Sequence, residues 1–156
     1  MLLDEGCLLC NPQFHDRFCR TTEVLAVILS AAPYSVDAPE LLEKTGLTTV
    51  QLLPICRALG RAGLIRQHEI FAANWVLCEP AAELTLEDVF HCVAQEFNDG
   101  LHQTGPRLTG GGCASTGLDA FLMQASIATY QCFLRELKRF ALARLRATDI
   151  RSWAEV

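Results

Sequence analysis

The sequence predicts a mainly α-helical chain with one small β-hairpin. Three observations lead there. Apolar residues recur at helical spacing in several separate stretches, helix-capping residues stand ahead of three of them, and two short runs at 64–70 and 74–79 read as paired strands. The chain has 156 residues, 51% of them hydrophobic, which suits one domain, or one domain with a dimerising appendage.

Residues 1–15 read as an irregular, cysteine-containing arm. Residues 16–31 read as a first helix carrying Phe18, Val24, Leu25, Ile28 and Leu29, ended by Ala31-Ala32-Pro33. Asp37 and Glu40 make a capping box for a short second helix, with Pro39 in its first turn and Gly46 as its stop. Thr48 and Gln51 form another capping box. Leu52, Ile55, Cys56 and Leu59 then fall at i, i+3, i+4 and i+7, one apolar face.

Helix, short glycine-containing turn and helix is the helix-turn-helix arrangement, and the hairpin that follows is a wing. Thr85 caps a helix over 86–98, residues 100–117 form a loop with six glycines, and a long helix spans 118–147. The expected organisation is therefore a winged helix-turn-helix domain at 16–99, the glycine-rich loop, a C-terminal dimerisation helix at 118–147 and a tail at 148–156. A helix that long at the end of a small domain is expected to pack against its twin in a homodimer.

No apolar run approaches the roughly 18 residues of a membrane span. The acidic N-terminus does not read as a secretory signal. The expectation is a soluble, cytoplasmic protein without a membrane partner. Its eight cysteines are accordingly read as reduced thiols, either buried as small apolar groups or serving as metal ligands.

Leu47 to Val89 resembles the Rrf-two family of bacterial winged-helix regulators, the IscR/NsrR type. Three passages carry the match. Leu52, Ile55, Cys56, Leu59 and Ala62-Gly63-Leu64-Ile65 look like the family's recognition helix and its exit. The hairpin from Ile65 to Pro80 has the family's wing length, and Leu84-Thr85-Leu86-Glu87-Asp88-Val89 is similar to its helix entry. The resemblance implies a homodimer that binds a palindromic double-stranded DNA operator, often while sensing iron–sulfur status, nitric oxide or redox state.

The chain also departs from the family pattern. Ala73-Asn74-Trp75 replaces a Gly-rich wing tip and Glu69 replaces the usual wing cation. The loop before the last helix has only Cys113 where cluster-holding members carry three cysteines.

In this reading Thr48, Thr49 and Gln51 face base edges, while Arg57, Arg61, Arg66 and His68 are available to phosphates. The charge balance argues the other way. Net charge is −5, and residues 1–80 hold six basic side chains against nine acidic ones, although phosphate contact supplies most non-specific DNA affinity. Arg57 and Arg61 read equally as solvated surface charges. Val50, Leu53 and Pro54 then form an exposed apolar patch of the kind that marks a protein partner.

The arm carries a second signal. Cys7, Cys10, His15 and Cys19 stand in a Cys-x2-Cys-x4-His-x3-Cys pattern, four soft ligands suited to zinc or, with Cys113, to an iron–sulfur cluster. The bland alternative is an unstructured arm with Cys19 in the core. Cys56, Cys92 and Cys132 fall on apolar helical faces and read as core, and Cys78 reads as a strand residue. No phosphate loop, nucleotide fingerprint or serine elbow is present, so no enzyme is expected.

Overall fold

A computed structural model describes residues 11–78, 80, 83–104 and 117–144. Helix α1 spans Pro12–Ala31, strand β1 Val36–Asp37, helix α2 Ala38–Thr45 and helix α3 Thr49–Arg61. Strands β2 (Ile65–Gln67) and β3 (Asn74–Leu77) follow, then helices α4 (Leu86–Thr104) and α5 (Gly117–Arg139) and a 3-10 turn at Leu142–Arg144. The protein is mainly helical with a small antiparallel sheet, and its order of elements is that of a winged helix.

Helix α1 begins four residues earlier than expected, inside what reads from sequence as the arm. Asn11 caps it, its side chain accepting from the Gln13 amide at 2.9 Å, and Pro12 occupies the first helical position, where its missing N–H costs nothing. Further along, Val24, Leu25, Ala26, Val27 and Ile28 are all buried. Five consecutive buried positions mean that this stretch is enclosed on every side, unlike a helix with one apolar stripe. Helices α2, α3 and α4, strand β3 and the 3-10 turn all touch α1.

The second helix starts as its sequence predicts. The Asp37 side chain accepts from the Glu40 amide at 2.8 Å, and Gly46 ends α2 in the left-handed region at φ 69°. Only half of the expected capping box forms, since the Glu40 carboxylate turns to Lys44 at 2.6 Å.

The sheet holds three strands, in the order β1-β3-β2, rather than the hairpin alone. Val36 pairs with Trp75, and Ile65 pairs with Leu77. Two residues are too few for β1 to show any alternation in sequence. The strands of the wing are also shorter than expected, so Ile70 lies in the connecting turn.

Helix α4 runs on to Thr104, past its expected end at 98, and residues 105–116 of the glycine-rich loop lie outside the described residues. The last helix is shorter than expected. It stops at Arg139 because the following residues turn back: the Leu142 amide donates to the Leu84 carbonyl at 2.9 Å and the Leu86 amide to the Phe140 carbonyl at 3.2 Å. Leu142 is thereby fully buried. One face of α5 (Tyr130, Phe133, Leu134, Leu137) packs on the core, while Phe121, Ala125, Ala128 and Cys132 on the other are exposed. Cys132, expected in the core, is thus a surface thiol. No helix among the described residues is long and apolar enough to cross a membrane.

Cys56 and Cys92 are core residues as expected, and burial pushes both thiols up from 9.0 to about 11. The folded state holds these groups neutral, whereas the unfolded chain ionises them near 9. Their contribution to stability is therefore complete below pH 9 and declines as pH rises through the interval to about 11. Denaturant titrations at pH 8 and pH 10.5 should show lower stability at the higher pH, and a Cys56→Ala/Cys92→Ala double variant should show less of that dependence. In native protein at pH 8, alkylation should reach Cys78 and Cys132 well before Cys56 and Cys92.

Candidate nucleic-acid interface

The turn between α2 and α3 presents the start of α3 to solvent. Both halves of the expected capping box are formed. The Gln51 amide donates to Thr48 Oγ1 at 3.4 Å, and the Thr48 amide donates to Gln51 Oε1 at 3.1 Å. Two of the three side chains expected to face bases are thus also the ones that hold the helix entry in shape. The Gln51 amide nitrogen and the Thr48 hydroxyl proton remain as donors outward.

Leu52, Ile55, Cys56 and Leu59 point into the core. The opposite face, through Thr49, Val50, Leu53, Pro54, Arg57 and Arg61, is exposed, and α3 continues through Pro54 as one element. That face is apolar toward its N-terminal end and basic toward its C-terminal end. Arg57 and Arg61 make no ion pair among the described residues. They line a shallow cavity of about 170 Å³ between α3 and α4, together with Glu96 and Asp99. Glu96 is itself engaged, its carboxylate clamped by both Nε and the terminal nitrogen of Arg17 on α1.

The wing departs further from a phosphate-gripping surface. Arg66, expected to be free, pairs with Glu69 at 3.3 Å, an exposed contact that water and salt weaken. His68, also expected to meet phosphate, is half-buried and turns back onto its own loop. Its Nδ1 accepts from the amides of Ile70 (3.2 Å) and Phe71 (3.3 Å), which requires the tautomer with the proton on Nε2. The ring also lies against Phe71, with centroids 5.6 Å apart.

This lock leaves two large apolar side chains outside at the tip, Ile70 at 79% exposure and Phe71 at 59%. Sequence reasoning placed Ile70 in a strand and missed the tip, because no local pattern marks a histidine as the organiser of a turn.

Of the five expected metal ligands, Cys7, Cys10 and Cys113 lie outside the described residues. His15 and Cys19 share the exposed side of α1, with the Cys19 sulfur 3.9 Å from each ring nitrogen. Burial and the carboxylates of Glu23 and Asp16 push the Cys19 thiol up. No group of three or more metal-ligating side chains occurs among the described residues. The reading of Cys19 as a core residue is overturned by its exposure.

The fold and this surface together define a winged helix-turn-helix. The solved structures of Staphylococcus aureus CymR and of its oxidised form are similar to it, each with a TM-score of 0.51 and 17% sequence identity. They match over 80% of this chain and 92% and 90% of theirs. At this level of identity the likeness shows a shared winged-helix fold. No protein-family model matches the sequence, and a search of the curated proteins finds no match.

The geometry at Thr48 sets a stability test. Thr48→Ala removes an observed N-cap and should cost about 1 kcal/mol in denaturant unfolding, whereas Thr48→Ser should stay close to the parent.

Proposed function

We propose that the protein is a homodimeric, DNA-binding transcriptional regulator of the Rrf-two type. One observation carries this reading: α3 is capped, anchored by one apolar face and open along the other, with Thr49 at its start and Arg57 and Arg61 farther along. A helix so placed enters the major groove with its N-terminal residues toward base edges. The similarity in fold to CymR and the sequence resemblance at Leu47–Val89 support it. The dimer is supported by α5, whose exposed Phe121, Ala125, Ala128 and Cys132 recur at spacings of four, three and four residues, the seam of a helix pair. On this reading the cysteine-containing N-terminal segment is the sensing element.

The basic surface is narrow, so affinity should depend on few phosphate contacts and readily disappear with salt. A fluorescence-anisotropy screen of genomic fragments at two salt concentrations tests the reading. Arg57→Ala and Arg61→Ala should each weaken binding evenly across sequences and reduce the salt slope by about 1. Thr49→Ala should instead alter which sequences are preferred. Dimeric protein with no sequence-preferring binding would sink the proposal.

A second reading has its own observation. Val50 is 82% exposed and Leu53 51%, and the wing tip adds Ile70 and Phe71. So many large apolar groups suit a protein-docking face, which a winged helix can equally present. On that reading DNA binding is absent, and Leu53→Glu abolishes partner capture without disturbing the fold.

The oligomer is tested separately. Phe121→Glu puts a charge into the exposed seam and should convert a dimer to a monomer in sedimentation, with helical content unchanged.

A further inference from the structure

We propose that the cavity between α3 and α4 binds a small zwitterion, an α-amino acid with a short apolar side chain, its carboxylate on Arg57 and Arg61 and its ammonium on Asp99. Both helices build the cavity. Pro54, Ala58 and Ala62 recur every four residues along α3 and its end, with Arg57 and Arg61 beside them one turn apart, so a single strip of that helix faces α4. The two alanines carry too little side chain to fill the space between the helices. What remains is about 170 Å³, well below the roughly 300–1,000 Å³ of a drug-sized site. The ligand is therefore small.

The charges lining this space call for a bridge. Among the described residues Arg57, Arg61 and Asp99 make no ion pair, so two cations on α3 and a carboxylate on α4 share one cavity unneutralised. Glu96 differs. Its carboxylate is taken at two points by Arg17, which offsets its charge and fixes that part of the wall.

Charge also sorts the ligand classes. A phosphate or a dicarboxylate attracted by the arginines would face Asp99, and a simple amine attracted by Asp99 would face two guanidiniums. A molecule carrying both charges on one carbon satisfies each wall. Arginine holds a carboxylate through parallel N–H···O bonds, and the Gln95 side-chain oxygen can accept from an ammonium beside Asp99. Cys92, only 4% exposed, forms the floor. Burial holds its thiol protonated up to about 11, so near neutral pH it offers packing surface and not a nucleophile or a metal ligand.

The consequence for regulation rests on the DNA-binding reading, in which Arg57 and Arg61 contact phosphates. A bound amino acid draws both guanidiniums toward α4 and sets a carboxylate against them, which withdraws them from DNA. Ligand and DNA then oppose each other, each weakening the other by the same factor.

Isothermal titration of the full chain without DNA tests the site, with L-alanine and L-valine as probes. Propionate and ethylamine, which are alanine without its ammonium or its carboxylate, serve as controls. Saturable binding of at least one amino acid is expected, with both single-charge controls much weaker. Arg57→Gln and Asp99→Asn should each weaken it by about tenfold or more, the effect of losing a hydrogen bond to a charged group. Asp99→Asn should also narrow the gap between alanine and propionate, which a general loss of folding would not do. Ala62→Leu fills the cavity and should abolish binding while thermal unfolding stays cooperative, and Lys44→Ala, on α2, should change nothing. No saturable binding of either amino acid, propionate binding as tightly as alanine, or unchanged affinity in Asp99→Asn or Ala62→Leu would each overturn the site. Because these titrations contain no DNA, failure of operator binding leaves their outcome intact. In fluorescence anisotropy a saturating amino acid should weaken DNA binding, and undiminished DNA affinity would overturn the regulatory step alone.

Discussion

Phe90 is the point at which three helices meet, and the placement of the exposed face of α3 depends on it. Fully buried on α4, its ring meets Phe14 of α1 at 5.4 Å and Phe133 of α5 at 5.4 Å, both edge-on, with Phe18 and Tyr130 slightly farther out. Edge-to-face pairs add roughly 0.5–1.5 kcal/mol each beyond the area they bury. The Arg17–Glu96 clamp joins α1 to α4 beside this cluster. With α1 and α4 fixed, α3 has a wall to lie against, and its inner face closes over the same core.

The charged surface is the weaker half of the design. A winged helix that binds nucleic acid ordinarily offers cations along its recognition helix and wing. Here Arg66 is shared with Glu69, and His68 spends its Nδ1 on two backbone amides. Arg57 and Arg61 share a cavity with Glu96 and Asp99. What the surface offers in place of charge is shape: a capped helix start and a wing tip whose turn is held by hydrogen bonds. Such a surface offers little long-range electrostatic attraction.

The end of α5 shows a similar economy. The helix is not a free arm. The bridge between Thr85 and Ala141, with Leu142 buried beneath it, seals its C-terminal end to the start of α4. One face is therefore committed to the parent domain, and the exposed row of Phe121, Ala125, Ala128 and Cys132 is positioned by that commitment.

Much of this architecture was legible in the sequence, because it is set locally. The Asp37 and Thr48 caps, the Gly46 stop and the apolar face of α3 involve residues three to seven apart, and all appear where that spacing puts them. The His15–Cys19 pair is local in the same sense, one helical turn apart. Tertiary structure decided the rest. Only the presence of β3 turns Val36–Asp37 into a strand, and only burial of Leu142 ends α5 at Arg139. Whether Arg66 and His68 face solvent or a neighbour likewise depended on how the wing folds. Helix caps and apolar periodicity are properties of one element, whereas the direction of a surface side chain is set by whichever partner the folded chain brings within reach.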